Sequence, residues 1–375
     1  MTGRPPVDRW HYFGMLRSAA SWSHVAREII KALDRVGCTV SVTEMVTDRY
    51  DGGFELTGLP ASTKEAASPA IGLSFEDPRL LRNIRHRPMV SMIVTEANYI
   101  PEPWVEPLQR IEKVVVPSRF VWTACRRAGI AGEKLSIVPH GFDPAVFRPR
   151  NFHYKSGPVR ALYIGSTAYR KGLDILLNAV ERLGDLKDRL TLTLKLTDYP
   201  DVATRSYVNN TWRIQVARLA ECGFSIDVIE DWLSPKELNR IMAGSDILCQ
   251  PHRGEGFCLP LLEAAATGMA ILTTDWGGAL DYLNAHSAVL IPATEEYSAR
   301  QQLPEPDMWS EDARLFGPTV ENVALALAEL VESQDTRRRL GRSAQQTTKH
   351  LTWINAAKRL QEVSLDLTSA QVSAE

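Results

Sequence analysis

Arg170 and Lys171 stand side by side in YIGSTAYRKGLDILLNAV, and Glu255 and Glu263 lie eight residues apart in HRGEGFCLPLLEAAATG. Adjacent cations suit phosphate, as do the N–H groups at the start of a helix. Carboxylates repel phosphate but accept hydrogen bonds from sugar hydroxyls. Both kinds of group together fit an elongated ligand with hydroxyls on either side of a diphosphate, which describes a nucleotide sugar. Pro260 suits the first turn of a helix, so Glu255 is expected on a glycine-containing turn and Glu263 on the helix that follows. Gly254 and Gly256 allow backbone close to a ligand. Cations at the helix start after Gly165 oppose the helix dipole. An anionic ligand would remove that conflict, while the plainer reading is that Arg170 and Lys171 only cover a helix end.

Such a site needs strands to carry its loops, and the pattern supplies them. Short apolar β-branched runs alternate with longer amphipathic ones, which predicts an α/β fold with parallel sheets covered by helices. WHYFG and CTVSVTE bracket a helix from about Ser23 to Arg35, followed by the strands PMVSMIVT, KVVVP and LSIVP. The second half restarts with VRALYIG, a helix from about Lys171 to Leu183, then LTLTLKL, SIDVIE, DILCQP and MAILTT. Two Rossmann-like, doubly wound domains are expected, over residues 1–150 and 151–350, with a C-terminal helix in 351–375 reaching back to the first. HGFDPAVFRPRNFHYKSGPVR, with three prolines, two glycines, several charges and no period, places the linker at about 145–157. Residues 293–317 are polar, carry two prolines and read as a long surface excursion.

EGFCLPLLEAAATGMAILTTDWGG resembles the donor-site signature of glycosyltransferase family 4, with Cys258 where the family usually has glycine. The resemblance implies the GT-B fold, two such domains facing a central cleft, and retaining, metal-independent sugar transfer from a UDP-, GDP- or other nucleotide sugar to a hydroxyl acceptor, with no further cofactor. It implies that Glu255 contacts the donor sugar and Glu263 the ribose, with the amides of Gly256, Phe257, Cys258 and Leu259 near diphosphate and sugar. Gly165, Lys171 and Gly172 match the family's glycine turn and lysine–glycine pair. Ser166 departs from the arginine common there, and Arg170 takes over that role. VTEANYIPEPWVEP and LSIVPHGFDPAVFRP resemble a subgroup in which Glu96 replaces an active-centre histidine and His140 an asparagine. Glu96 is then a donor or acceptor contact or a buried structural carboxylate, and His140 a turn former or a contact. Gly14 is a weaker match to the acceptor-side glycine turn. Near it, Ser18, Ser21 and Ser23 read equally as helix caps, and Trp22 as a core or an acceptor-stacking aromatic. The implied acceptor is a carbohydrate, glycolipid or small molecule.

Composition narrows the alternatives. The chain has 375 residues with 43 Lys plus Arg against 45 Asp plus Glu, a balance that excludes extensive phosphate coverage and hence nucleic acid as a partner. RLLRNIRHRP, from Arg79, reads as a solvated helix face. No apolar run reaches membrane-spanning length and the N-terminus lacks a signal-like apolar core, which predicts a cytoplasmic protein with at most peripheral membrane contact. Five scattered cysteines without a CxxC pair point to reduced thiols, Cys258 among them as a packing residue. No Asp-x-Asp pair is present to hold a divalent cation. A nucleotide-sugar epimerase of the same architecture and a non-catalytic sugar-nucleotide binder remain open.

Overall fold

The computed structural model describes residues 9–18, 21–45, 57–63, 70–149, 157–197 and 211–372. The chain divides into two compact units, one of Met1–Thr95, Tyr99–Gly141 and Leu351–Glu375, the other of Glu96–Asn98 and Phe142–His350. Of the linker expected at 145–157, residues 150–156 lie outside the described residues.

The first unit holds β1 (Arg9–Gly14), β2 (Thr39–Glu44), β3 (Ile71–Ser74), β4 (Met89–Met92), β5 (Lys113–Val116) and β6 (Leu135–Ile137). They form one parallel sheet in the order β2-β1-β3-β4-β5-β6. Between β1 and β2, the helix Ser21–Arg35 buries Val25, Ala26, Ile29, Ile30 and Leu33, an apolar stripe at helical spacing. The helix Trp353–Val372 packs against it. Sequence patterning overlooked β3. Its four residues, IGLS, are all buried, and so short a run with an internal glycine shows no alternation to read.

The second unit holds β7 (Val159–Gly165), β8 (Leu190–Leu196), β9 (Ser225–Ile229), β10 (Ile247–Gln250), β11 (Ala270–Thr274) and β12 (Val289–Ile291). Its parallel sheet runs β12-β11-β10-β7-β8-β9. Chain direction across the sheet reverses between β7 and β10, and in open sheets of this kind ligands bind beyond the carboxyl ends of the strands at that switch point. The helix Leu173–Glu181 secures the β7 side by burying Leu173, Leu176, Leu177 and Val180 in the core with Tyr163, Leu192 and Leu194. It begins later than the sequence predicts. Tyr169–Lys171 is a tight 3-10 turn, and Gly172 at φ 72° separates it from the α-helix.

Residues 293–317 are not the open excursion expected. β13 (Glu295–Ser298) pairs antiparallel with β14 (Arg314–Gly317), and Ala299, Leu303, Trp309, Ala313 and Leu315 are buried. Charged residues dominate the composition, but Leu303, Trp309 and Leu315 are buried. Among the described residues no helix is long and apolar enough to cross a membrane.

Candidate functional site

Two loops leave the switch point of the second unit, one from β7 and one from β10, and they are stitched together. A Cβ on Gly172 would lie 2.0 Å from Pro251 O, so only glycine lets the Tyr169–Lys171 turn rest on the chain leaving β10. The amides of Arg253 and Gly254 donate to Arg170 O at 2.6 and 3.3 Å. Gly165 ends β7, and Tyr163 Oη donates to Ser166 O at 3.0 Å, fixing the start of the loop.

This brings Arg170, Lys171, Glu255 and Glu96 into one cluster. Lys171 Nζ donates to Glu255 Oε1. Arg170 Nη1 reaches Glu255 Oε1 at 3.4 Å and Gly254 O at 3.2 Å, while its Nη2 lies 3.0 Å from Glu96 Oε1. The cations at the start of this helix are thus already balanced by carboxylates. Burial alone would raise the Glu255 carboxyl, yet Lys171 and Arg170 outweigh it and hold the group at about 2. Burial likewise works against the Arg170 charge, and Glu96 and Glu255 prevail, keeping the guanidinium above its ordinary value.

Beyond Glu255 the chain turns through Gly256, Phe257 and Cys258 into the helix Leu259–Thr267. Cys258 has φ 65° and ψ 80°, a left-handed conformation that explains why glycine suits this position. Its thiol is buried and pushed well up by burial. Tyr282 Oη lies 2.7 Å from Phe257 O and 2.9 Å from Cys258 O, bracing the turn from behind. No described residue accepts from the amides of Cys258 and Leu259, which leaves them available to an anion at the helix N-terminus. Glu263 is buried in the second turn of the same helix.

Sequence reading passed over His252 and Arg253. His252 is fully buried beside the cluster, and neither ring nitrogen has a hydrogen-bond partner among the described residues. Burial first, then Lys171 and Arg170 acting against Glu255, bring the imidazole down to about 4, so it is neutral at physiological pH. Arg253 binds Asp174 through both terminal nitrogens at 2.8 and 2.7 Å. Nothing in the spacing of HRGEGF distinguishes these side chains from solvated loop residues.

Gly14 and His140 belong to the first unit. At the end of β1, a Cβ on Gly14 would meet Tyr12 Oη at 2.5 Å and Glu76 Oε1 at 2.6 Å. Glu76, which follows β3, accepts from Met15 N at 2.5 Å, and burial raises its carboxyl to about 7. His140 packs on Phe75 and Trp353 with ring centroids 5.6 and 6.1 Å away, and burial together with His24 brings it down to about 3. Trp22, half-buried, stacks on Phe75 at 5.4 Å. In the basic run, Arg79 pairs with Asp77 and Arg82 with Glu106. Among the described residues no cluster of three or more His, Cys, Asp or Glu gathers as a metal site.

The family model "Glycosyl transferases group 1" matches residues 158–302. An MMP alpha-(1->4)-mannosyltransferase of Mycolicibacterium hassiacum is 30% identical over 217 residues, which cover 56% of this chain and 43% of the relative. A lipopolysaccharide 1,2-N-acetylglucosaminetransferase of Salmonella typhimurium is 24% identical over 213 residues, covering 55% of this chain and 54% of the relative. The chain therefore spans about half the length of the curated relatives it matches. Anabaena Alr3699/HepE, solved in complex with UDP and glucose, superposes with a TM-score of 0.72 at 13% identity, covering 95% of this chain and 98% of that one. That likeness shows the fold, which is GT-B.

Proposed function

We propose, for a chain that belongs to the glycosyl transferases group 1 family, that it moves a sugar from a nucleotide-sugar donor to a hydroxyl acceptor with retention at the anomeric carbon. The observation that carries this reading is the meeting of Arg170 and Lys171, after β7, with Glu255, after β10, at the switch point of the second sheet. Cations and helix-start amides suit a diphosphate, and carboxylates suit sugar hydroxyls. The relatives named for mannosyl and N-acetylglucosaminyl transfer support it. The Salmonella relative, named for lipopolysaccharide, favours a carbohydrate or glycolipid acceptor.

In this reading the nucleoside diphosphate lies against Arg170, Lys171 and the amides of Cys258 and Leu259. Glu255 accepts from donor-sugar hydroxyls and Glu263 from the ribose. As the bond between the anomeric carbon and the phosphate oxygen breaks, charge grows on the diphosphate, and groups already fixed in place stabilise it without reorganising. The acceptor oxygen bonds to the anomeric carbon on the same face, and its proton passes to the departing phosphate.

Thermal shift with UDP, GDP and ADP, and with their glucose, mannose and N-acetylglucosamine conjugates, tests the reading. A ligand at 100 times its dissociation constant adds about 2.7 kcal/mol of apparent stability. No stabilisation by any of these compounds would sink the proposal. Release of nucleoside diphosphate only when an acceptor is present would separate transfer from epimerisation.

A further inference from the structure

The proposed chemistry uses neither Arg253 nor the hairpin β13–β14, yet both converge on the cluster. The Arg253 side chain is only 4% exposed. Besides its two bonds to Asp174, Nη1 donates to Tyr169 O at 2.7 Å. The guanidinium carbon lies 3.7 Å from the centroid of the Tyr169 ring and 4.9 Å from that of Tyr297, on β13. Those two rings meet edge-on at 5.7 Å. One side chain therefore ties the cationic turn, the start of the helix Leu173–Glu181 and the hairpin.

The backbone of the same residue supplies the rest. Arg253 N–H donates to Arg170 O, and Arg253 O accepts from Phe316 N at 3.1 Å on β14. β14 in turn holds the segment that carries Glu96. Asn98 N donates to Arg314 O at 3.1 Å, and Arg314 N donates to Asn98 Oδ1 at 2.6 Å. A Cβ on Gly254 would lie 2.5 Å from Glu96 O and 2.7 Å from Leu315 Cδ2, so these three strips of chain are in close contact where the cluster forms.

We propose that Arg253, gripped by Asp174 between two tyrosine rings, is a positioning residue, and that with the hairpin Glu295–Gly317 it clamps Arg170 and Glu96 in register with Glu255. This rests on the reading of the cluster as the diphosphate-binding site. An internal ion pair is a poor device for stability alone, since apolar replacements of similar volume are often neutral or better. A planar fork held in one orientation is a good device for geometry. Lysine keeps the charge but cannot reproduce the two parallel bonds or the stacking, so Arg253→Lys removes the register and leaves the cation.

The test compares wild type with Arg253→Lys and Asp174→Asn by steady-state release of UDP or GDP from the donor, UDP or GDP binding by calorimetry, and thermal midpoint. Misplacement of catalytic groups by about 1 Å costs on the order of 10²-fold. Arg253→Lys is expected to lower kcat about that much while donor KM and nucleoside diphosphate affinity stay within threefold, and the double variant to lose no more than the worse single. Wild-type kcat in Arg253→Lys, or a loss that only tracks the unfolded fraction, overturns the clamp. If wild type neither binds UDP or GDP nor releases either from a donor, the functional reading has failed, and hydrogen exchange at the Gly254 amide judges the clamp separately. Exchange at least tenfold faster in Arg253→Lys supports the clamp, and unchanged exchange overturns it.

Discussion

Glu96 Oε1 lies 3.0 Å from Arg170 Nη2, so a carboxylate far away in sequence offsets the guanidinium that also reaches Glu255. An anion approaching Arg170 must compete with Glu96 as well as with Glu255. Glu96→Gln is therefore expected to strengthen UDP or GDP binding about three- to tenfold, a gain on the order of 1 kcal/mol for a partly exposed pair. Calorimetric titration reads it, and weaker or unchanged binding would show that Glu96 does not restrain Arg170.

Lys171→Gln is expected to cut turnover about 10²–10³-fold, the usual cost of removing one preorganised donor to developing charge. The variant also strands Glu255 without its lysine partner, so turnover is normalised to folded protein by circular dichroism. Turnover within threefold of wild type would remove Lys171 from the leaving-group role.

Much of this site was readable because its chemistry is local. Arg170, Lys171, Glu255 and Glu263 occupy two short runs whose glycines and Pro260 mark the turns, and all sit on the β7 loop, the β10 loop or the helix that follows it. Partners distant in sequence were not readable. Nothing in the spacing links Glu96 to Arg170 or Arg253 to Asp174, because the folded sheet and the hairpin bring those pairs together. β3 escaped because a fully buried four-residue strand has no polar face to alternate with. The hairpin escaped because its buried apolar residues are scattered among prolines and charges.

The ion pairing at Glu255 sets an acid limb. Its carboxyl stands at about 2 when folded against 4.5 otherwise, so the stability it lends is complete above pH 4.5 and is lost as pH falls through 2, about 3 kcal/mol in all. Urea unfolding of wild type and Glu255→Gln between pH 2 and 5 measures it. The variant should lack this part of the pH dependence, and parallel curves would contradict the assignment.

Glu76 works in the opposite sense in the first unit. Burial raises its carboxyl from 4.5 to about 7, so the folded state holds the proton more tightly, and the associated stability is full below pH 4.5 and lost as pH rises through 7. Glu76→Gln keeps an acceptor for Met15 N but cannot ionise. Between pH 4.5 and 7.5 it is expected to lose about 3 kcal/mol less than wild type. An identical slope in both proteins would mean that Glu76 ionises normally in the folded state.

Cys258 offers a test of the turn itself. At φ 65° an L-residue pays about 1–2 kcal/mol relative to glycine. Glycine relieves that strain but gives up about 0.8 kcal/mol for each buried methylene-sized group and about 0.5–1 kcal/mol of backbone entropy. These terms nearly cancel, so Cys258→Gly is expected within about 1 kcal/mol of wild type. Valine keeps the strain, and its branched Cβ fits the left-handed region worst. It also adds bulk in a buried turn braced by Tyr282, and Cys258→Val is expected to cost at least about 2 kcal/mol. Urea midpoints rank the three proteins. Valine as stable as glycine would show that the turn is not held left-handed at this residue, and the alignment of the Cys258 and Leu259 amides would then need another cause.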